Sequence, residues 1–163
     1  MLKYINYQVT FLEVPDEISL CINISNCPCH CKNCHSSYLA EDIGNNLDLQ
    51  ALTTLIDKNK GITCVCIMGG DSNPSEVDDI AQDIKEYYPN LKVAWYSGRQ
   101  DLSKAIDLRN FDYLKLGPYI EELGPLNSKT TNQKFYKVHI EQAGDNYWES
   151  LEDITYRFNG KRN

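Results

Sequence analysis

The sequence predicts an α/β fold: a partial, open barrel of parallel strands joined by crossover helices. Three observations point there. Apolar, β-type runs alternate with helix-type patterns between residues 19 and 117, the order that parallel strands with right-handed crossovers produce. The chain has 163 residues, too few for a closed eight-stranded β/α barrel, which needs about 250. The residues of unusual chemistry fall just after the predicted strands, where ligands lie in such sheets.

The elements follow in order. SLCINIS (19–25) is a short apolar run and reads as the first strand. LDLQALTTLIDKNK (47–60) spaces Leu49, Leu52, Leu55 and Ile56 as a helix does, with Asn46 or Asp48 as its cap and Gly61 as its end. ITCVCIMGG (62–70) is almost wholly apolar, as a strand covered on both faces must be. PSEVDDIAQDIKEYYP (74–89) opens with proline and acids, sets Val77, Ile80, Ala81 and Ile84 on one face, and stops before Pro89. KVAWYSG (92–98) is a third strand, DLSKAIDL (101–108) a short helix and YLKLG (113–117) a fourth strand. Beyond Gly117 a polar loop leads into a strand within 124–140, and the last 20 residues add a hairpin or helix. The strand ends carry Asn26 with a cysteine loop, Gly69-Gly70-Asp71, Ser97-Gly98-Arg99 and Gly117-Pro118, all on one rim.

No repeat, low-complexity tract or linker divides the chain, so residues 1–163 are expected to form a single domain. The formal net charge is −7 and the pI near 4.9. A non-specific nucleic-acid binder carries a basic face, so no nucleic-acid partner is expected. No run of 18 apolar residues exists, so no membrane span is expected either. The N-terminus lacks the apolar core and cleavage site of a secretory signal, which predicts a cytoplasmic location. In that setting, seven cysteines read as a metal or redox site rather than a disulfide framework. A chain of this size is also compatible with a homodimer.

Five cysteines fall between Cys21 and Cys34. Cys27, Cys31 and Cys34 have C-x3-C-x2-C spacing, which suits three irons of a 4Fe–4S cluster and leaves the fourth iron open. Zinc is the alternative, with Cys29, His30 or His35 as a fourth ligand, although a second C-x2-C knuckle is missing. A redox dithiol is the third reading. Cys21, Cys64 and Cys66 read as buried small hydrophobes. Because successive strand residues face opposite ways, Cys64 and Cys66 are not expected to share a metal. Cys29 lies inside the loop but off the spacing, either a spare thiol or a competing ligand.

Cys27-x3-Cys31-x2-Cys34 resembles the cluster motif of the radical S-adenosylmethionine superfamily. Further motifs follow in family order: Gly69-Gly70-Asp71, Tyr96-Ser97-Gly98, Asp112 with Gly117-Pro118-Tyr119-Ile120-Glu121-Glu122, and Thr131-Asn132-Gln133. Over about residues 15–140 the chain resembles the small activases of anaerobic ribonucleoside-triphosphate reductase within that superfamily. The resemblance implies an open barrel of the radical S-adenosylmethionine type, holding a 4Fe–4S cluster on Cys27, Cys31 and Cys34. It implies that S-adenosylmethionine chelates the open iron through its amino and carboxylate groups. One electron then cleaves a carbon–sulfur bond, and the 5′-deoxyadenosyl radical takes hydrogen from a glycine of the reductase. An electron donor protein is implied as a second partner.

On this reading Asn33, Cys34, His35, Gly69, Gly70, Asp71 and Ser97 line the cofactor. Gly69-Gly70 allows close backbone approach, with carbonyls for the methionine ammonium. Asp71 faces that ammonium or caps the next helix, Ser97 reaches the ribose or carboxylate, and Arg99 is a surface or carboxylate-pairing residue. Glu121 and Glu122 are expected to be solvated. Two positions depart from the superfamily. Asn33 stands where many members have an aromatic, as the reductase activases often have a small residue there, and Asp-Ser-Asn-Pro (71–74) replaces Asp-Pro. Tyr38 is a substitute aromatic face. The other functions considered are activation of a different glycyl radical enzyme of the pyruvate formate-lyase type, a radical maturase, and a non-catalytic zinc module.

Overall fold

The computed structural model describes residues 1–159. Its strands are β1 (Lys3–Thr10), β2 (Ser19–Ile24), β3 (Asn45–Asn46), β4 (Cys64–Met68), β5 (Lys92–Tyr96), β6 (Tyr113–Leu116), β7 (Lys134–Ala143) and β8 (Asn146–Asp153). Two α-helices, α1 (Leu49–Lys58) and α2 (Pro74–Tyr87), join them. All eight strands form one open sheet in the order β3-β1-β2-β4-β5-β6-β7-β8. The central pairs β2–β4, β4–β5 and β5–β6 are parallel, and the pairs outside them are antiparallel. The result is a mixed α/β sheet with four parallel strands at its centre.

Strand periodicity divides the core in two. Leu20, Ile22, Val65, Ile67, Val93, Trp95 and Leu114 face one side and meet Leu52, Leu55, Ile56, Val77, Ile80 and Ile84 of the helices. Cys21, Cys64, Cys66, Ala94, Tyr113 and Phe135 face the other side, which loop residues Val14, Leu126, Ile154 and Phe158 cover. Both helices therefore lie on one face, as right-handed crossovers require when each strand is added on the same side of the last. Cys64 and Cys66 share a face with Cys21, contrary to the expectation that alternation separates them, because a period of two puts i and i+2 together. The three remain buried among apolar neighbours.

The helix caps are local. Asp48 caps α1 by accepting the Ala51 N–H at 2.8 Å, and Asn73 caps α2 by accepting from Glu76. Asp71 is thereby released from the capping role that the sequence had left open to it. The helix expected over 101–108 does not form; a short 3-10 turn at Leu108–Asn110 stands at its end. Side chains there take the backbone donors that a helix would use: Ser103 accepts from Ala105, Asp78 from Asp107, and Asp107 from Arg109. Strand β1 had no expected counterpart, whereas β7 is the strand expected within 124–140 and β8 pairs back on it as the hairpin, one of the two forms expected for the tail.

Glycine is obligatory at position 70. Its φ is +96° and a Cβ there would lie 2.5 Å from Val77 Cγ2. Gly70→Ala should destabilise the fold by about 2–4 kcal/mol through strain and overpacking. A urea midpoint unchanged from wild type would show that the β4–α2 turn is freer than this geometry.

Candidate metal centre and ligand cavity

The loop from Asn26 to Glu41 leaves the end of β2 and returns to it. The Asn26 amide donates to Glu41 O and the Cys27 amide to Leu39 O, both at 2.9 Å, and Leu39 is buried beneath. Within the loop Asn26, His30 and Asn33 adopt positive φ, at 59°, 45° and 57°. Each immediately precedes one cysteine of the C-x3-C-x2-C set. Asn and His tolerate the left-handed region better than most residues. The Cys34 amide donates to Cys31 O at 3.2 Å, closing a turn with Asn33 at its third position. A type II turn needs positive φ there, which favours Gly or Asn. The backbone thus supplies a reason for asparagine at a position where many members of the resembled superfamily have an aromatic.

Cys27, Cys31 and Cys34 line one cavity of about 240 Å³ together with His30, Ser36 and Ser37. Among the described residues, no group of three His, Cys, Asp or Glu side chains converges on a point that could hold a metal ion. Zinc demands such convergence, with thiolates about 2.3 Å from one centre. A polynuclear cluster demands less, since each thiolate meets its own iron at a corner of a larger body. Three thiols lining one cavity are a donor set that iron–sulfur clusters take.

Cys29 lies against both Cys27, whose thiol it meets, and Asp71. Its Sγ lies 3.8 Å from Asp71 Oδ2, and a Cβ on Gly98 would come within 2.7 Å of it. Burial, then the charge of Asp71, then Cys27 push its thiol up to about 12. Since a thiolate is the ligating form, Cys29 is poorly placed to compete with its three neighbours.

The residues at the strand ends meet beside the loop. Asp71 is buried, accepting the Ser97 hydroxyl at 2.5 Å and the Gly98 amide at 2.8 Å. Ser97 in turn accepts the Arg99 amide at 3.0 Å. The Gly69 carbonyl takes the Trp95 indole N–H at 2.7 Å and the Gly70 carbonyl takes the Asn73 amide at 3.0 Å, so each has one lone pair engaged within the chain. Asp71, Ser97, Trp95 and Arg99 line a polar cavity of about 340 Å³.

A third cavity, of about 260 Å³, opens on the loop-covered face and shares Cys34 and Ser36 with the thiol cavity. His35, Tyr96, Tyr119 and Gln133 also line it. Its floor holds Lys115, a residue that sequence reading passed over because it sits inside an apolar strand pattern. Lys115 Nζ donates to Gly117 O at 2.7 Å and Ser97 O at 3.3 Å. Burial pushes its ammonium down to about 8, against the opposing pull of Asp71 and the loop cysteines.

The segment after β6 crosses over the cysteine loop. Asn33 Nδ2 donates to Glu121 Oε2 at 2.7 Å; both side chains are exposed, so Glu121 is solvated as expected and takes this bond as well. The His35 and Tyr119 rings lie 5.9 Å apart, and Asn132 Nδ2 holds Pro118 O at 3.0 Å. Tyr38 is exposed. Asp112 sits at the opposite end of β6 from the site, where it accepts the Val93 amide and pairs with Lys85.

Comparison with known proteins completes the description of the site. A family model described as a 4Fe-4S single cluster domain matches residues 18–139, a span that contains the cysteine loop and every strand end described above. No curated protein and no solved structure matches the chain. Among the described residues, no helix is long and apolar enough to cross a membrane.

Proposed function

We propose, because the chain belongs to the family of 4Fe-4S single cluster domains, that its cluster serves to cleave S-adenosylmethionine reductively. The protein would then be a cytoplasmic activase that installs a glycyl radical on anaerobic ribonucleoside-triphosphate reductase. The observation that carries the reading is the contact between the thiol cavity and the Lys115 cavity through Cys34 and Ser36. A metal centre held by three thiols thereby adjoins a chamber with one buried cation and several aromatic walls.

Cys27, Cys31 and Cys34 would hold the cluster and leave one iron without a protein ligand. When bound, the cluster and S-adenosylmethionine together supply one-electron cleavage of a carbon–sulfur bond and removal of hydrogen from a glycine. The chain's own residues would hold the charged ends. Lys115 offers a desolvated ammonium to a carboxylate. Asp71, fixed by Ser97 and Gly98, offers negative charge to an ammonium. Tyr96, Tyr119 and His35 supply flat walls to the chamber. Asn33, Gly69 and Gly70 would contact the cofactor from the loops at the strand ends. An electron donor protein and the reductase would approach from the solvent side.

The test is anaerobic reconstitution with iron and sulfide, followed by reductant and S-adenosylmethionine. The expected product is 5′-deoxyadenosine, with a glycyl radical signal when the reductase is added. A fully loaded cluster that yields no 5′-deoxyadenosine sinks the reading. Product without a signal on the reductase keeps the chemistry and removes that partner, leaving activation of another glycyl radical enzyme.

Lys115 gives a pH dependence with a definite sign. Its ammonium loses its proton as pH rises through about 8, so affinity for S-adenosylmethionine should fall between pH 7 and 9. Lys115→Met should bind weakly and with no such slope. The folded chain itself should gain stability over the window from about 8 to the ordinary lysine value of 10.5, because there the unfolded chain binds the extra proton. Isothermal titration across that pH range checks the first claim, and affinity that holds constant for wild type overturns it.

A further inference from the structure

The clasp between Asn33 and Glu121 points to a role for a residue that nothing in the cluster motif includes. We propose that Glu121 is a positioning residue for the cluster, acting through Asn33 to fix the spacing of Cys31 and Cys34. The inference rests on reading Cys27, Cys31 and Cys34 as the ligands.

The argument starts from the turn. Cys31 and Cys34 are the first and last residues of one turn, closed by the Cys34 amide on Cys31 O at 3.2 Å. Asn33 holds that turn in its form with φ of +57°. An asparagine visits this region more readily than other side chains but is not confined to it. Something must therefore select the conformer, and the side chain of Asn33 reaches across 88 positions of sequence to do so, donating to Glu121 Oε2 at 2.7 Å. A carboxylate acceptor makes this a charge-assisted bond, formed at the solvent surface.

The far end of the clasp is itself built. Leu123 and Gly124 donate backbone amides to Ile120 O, both at 3.0 Å, which makes Glu121 part of a closed turn. Thr130 Oγ1 donates to Leu123 O at 2.7 Å and pins that turn from behind. Glu121 is thus presented from a fixed platform, and the ring contact of His35 with Tyr119 lies alongside it. Groups that orient ligands from outside the first layer commonly change metal affinity by about 10- to 100-fold when removed.

The experiment compares wild type, Glu121→Ala, Glu121→Gln and Asn33→Gly after anaerobic reconstitution. Each is measured for iron per chain, midpoint potential, electron paramagnetic resonance of the reduced cluster, and rate of iron loss to a chelator. Glu121→Ala should load a cluster but release iron about tenfold faster, near the low end of that range, with shifted g-values. Asn33→Gly keeps the turn and loses the tether, so it should match Glu121→Ala, and combining the two should add nothing further. Glu121→Gln keeps an acceptor and should restore the wild-type spectrum. A Glu121→Ala protein identical to wild type in spectrum and iron release overturns the inference, as does a Glu121→Gln protein as altered as Glu121→Ala. Wild type that takes up no cluster sinks the ligand reading instead, so the two failures are distinct.

Discussion

Alanine at Cys27, at Cys31 or at Cys34 should each leave a reconstituted protein without the brown 4Fe–4S chromophore and without cleavage of S-adenosylmethionine. The expected loss is complete rather than graded. The three thiols line one cavity, and each would be the only protein ligand of its iron, so no neighbour can take over. Cys29 is the nearest substitute, but it faces Asp71 and is held as a neutral thiol. Cys29→Ala should therefore retain iron and sulfide at wild-type stoichiometry. Visible absorbance and iron analysis of the four variants decide the matter. A colourless Cys29→Ala protein would transfer the ligand role to that residue, and a brown Cys31→Ala protein would remove it from the assigned trio.

Phe135→Ala should be the most destabilising substitution among those considered, at about 3–5 kcal/mol. Phe135 is fully buried on the loop-covered face. Its ring meets those of Tyr96, Tyr113 and Phe158, with centroids 6.0, 5.9 and 4.9 Å away. Removing it leaves a hole that three other rings cannot fill without leaving their own positions. Tyr96 and Phe158 also line the Lys115 cavity, so ligand affinity should fall in the same variant. Urea unfolding measures the first effect. A loss below about 1 kcal/mol, the scale of a conservative swap, would mean that the loops over this face pack more loosely than described.

Much of the central fold was legible because its signals are local. The four parallel strands and two helices lie within two residues or so of where apolar periodicity and caps put them, and the thiol cavity gathers Cys27, Cys31 and Cys34 as their spacing suggested. What was hidden depends on distant partners. The segment 101–108 has helical spacing, but Ser103, Asp78 and Asp107 occupy its backbone donors. Lys115 looks like an ordinary strand residue until the loops close over it. The bond from Asn33 to Glu121 joins two exposed side chains 88 positions apart, a pairing no local pattern announces. Strand β1 pairs antiparallel with β2 through a register that no turn motif announces.

The order of the sheet has a consequence for synthesis. From β2 onward, strands β4, β5, β6, β7 and β8 stand side by side in the order in which they leave the ribosome. Each arriving strand meets a finished neighbour, and none has to insert between two others. Assembly can thus proceed from the N-terminal side without waiting for the C-terminus, with little unpaired edge left exposed to aggregation. The cysteine loop emerges early, yet Asp71, Gly98 and Glu121 that surround it arrive 37 or more residues after Cys34. The finished pocket, and with it stable metal loading, belongs to a late stage of the chain's maturation.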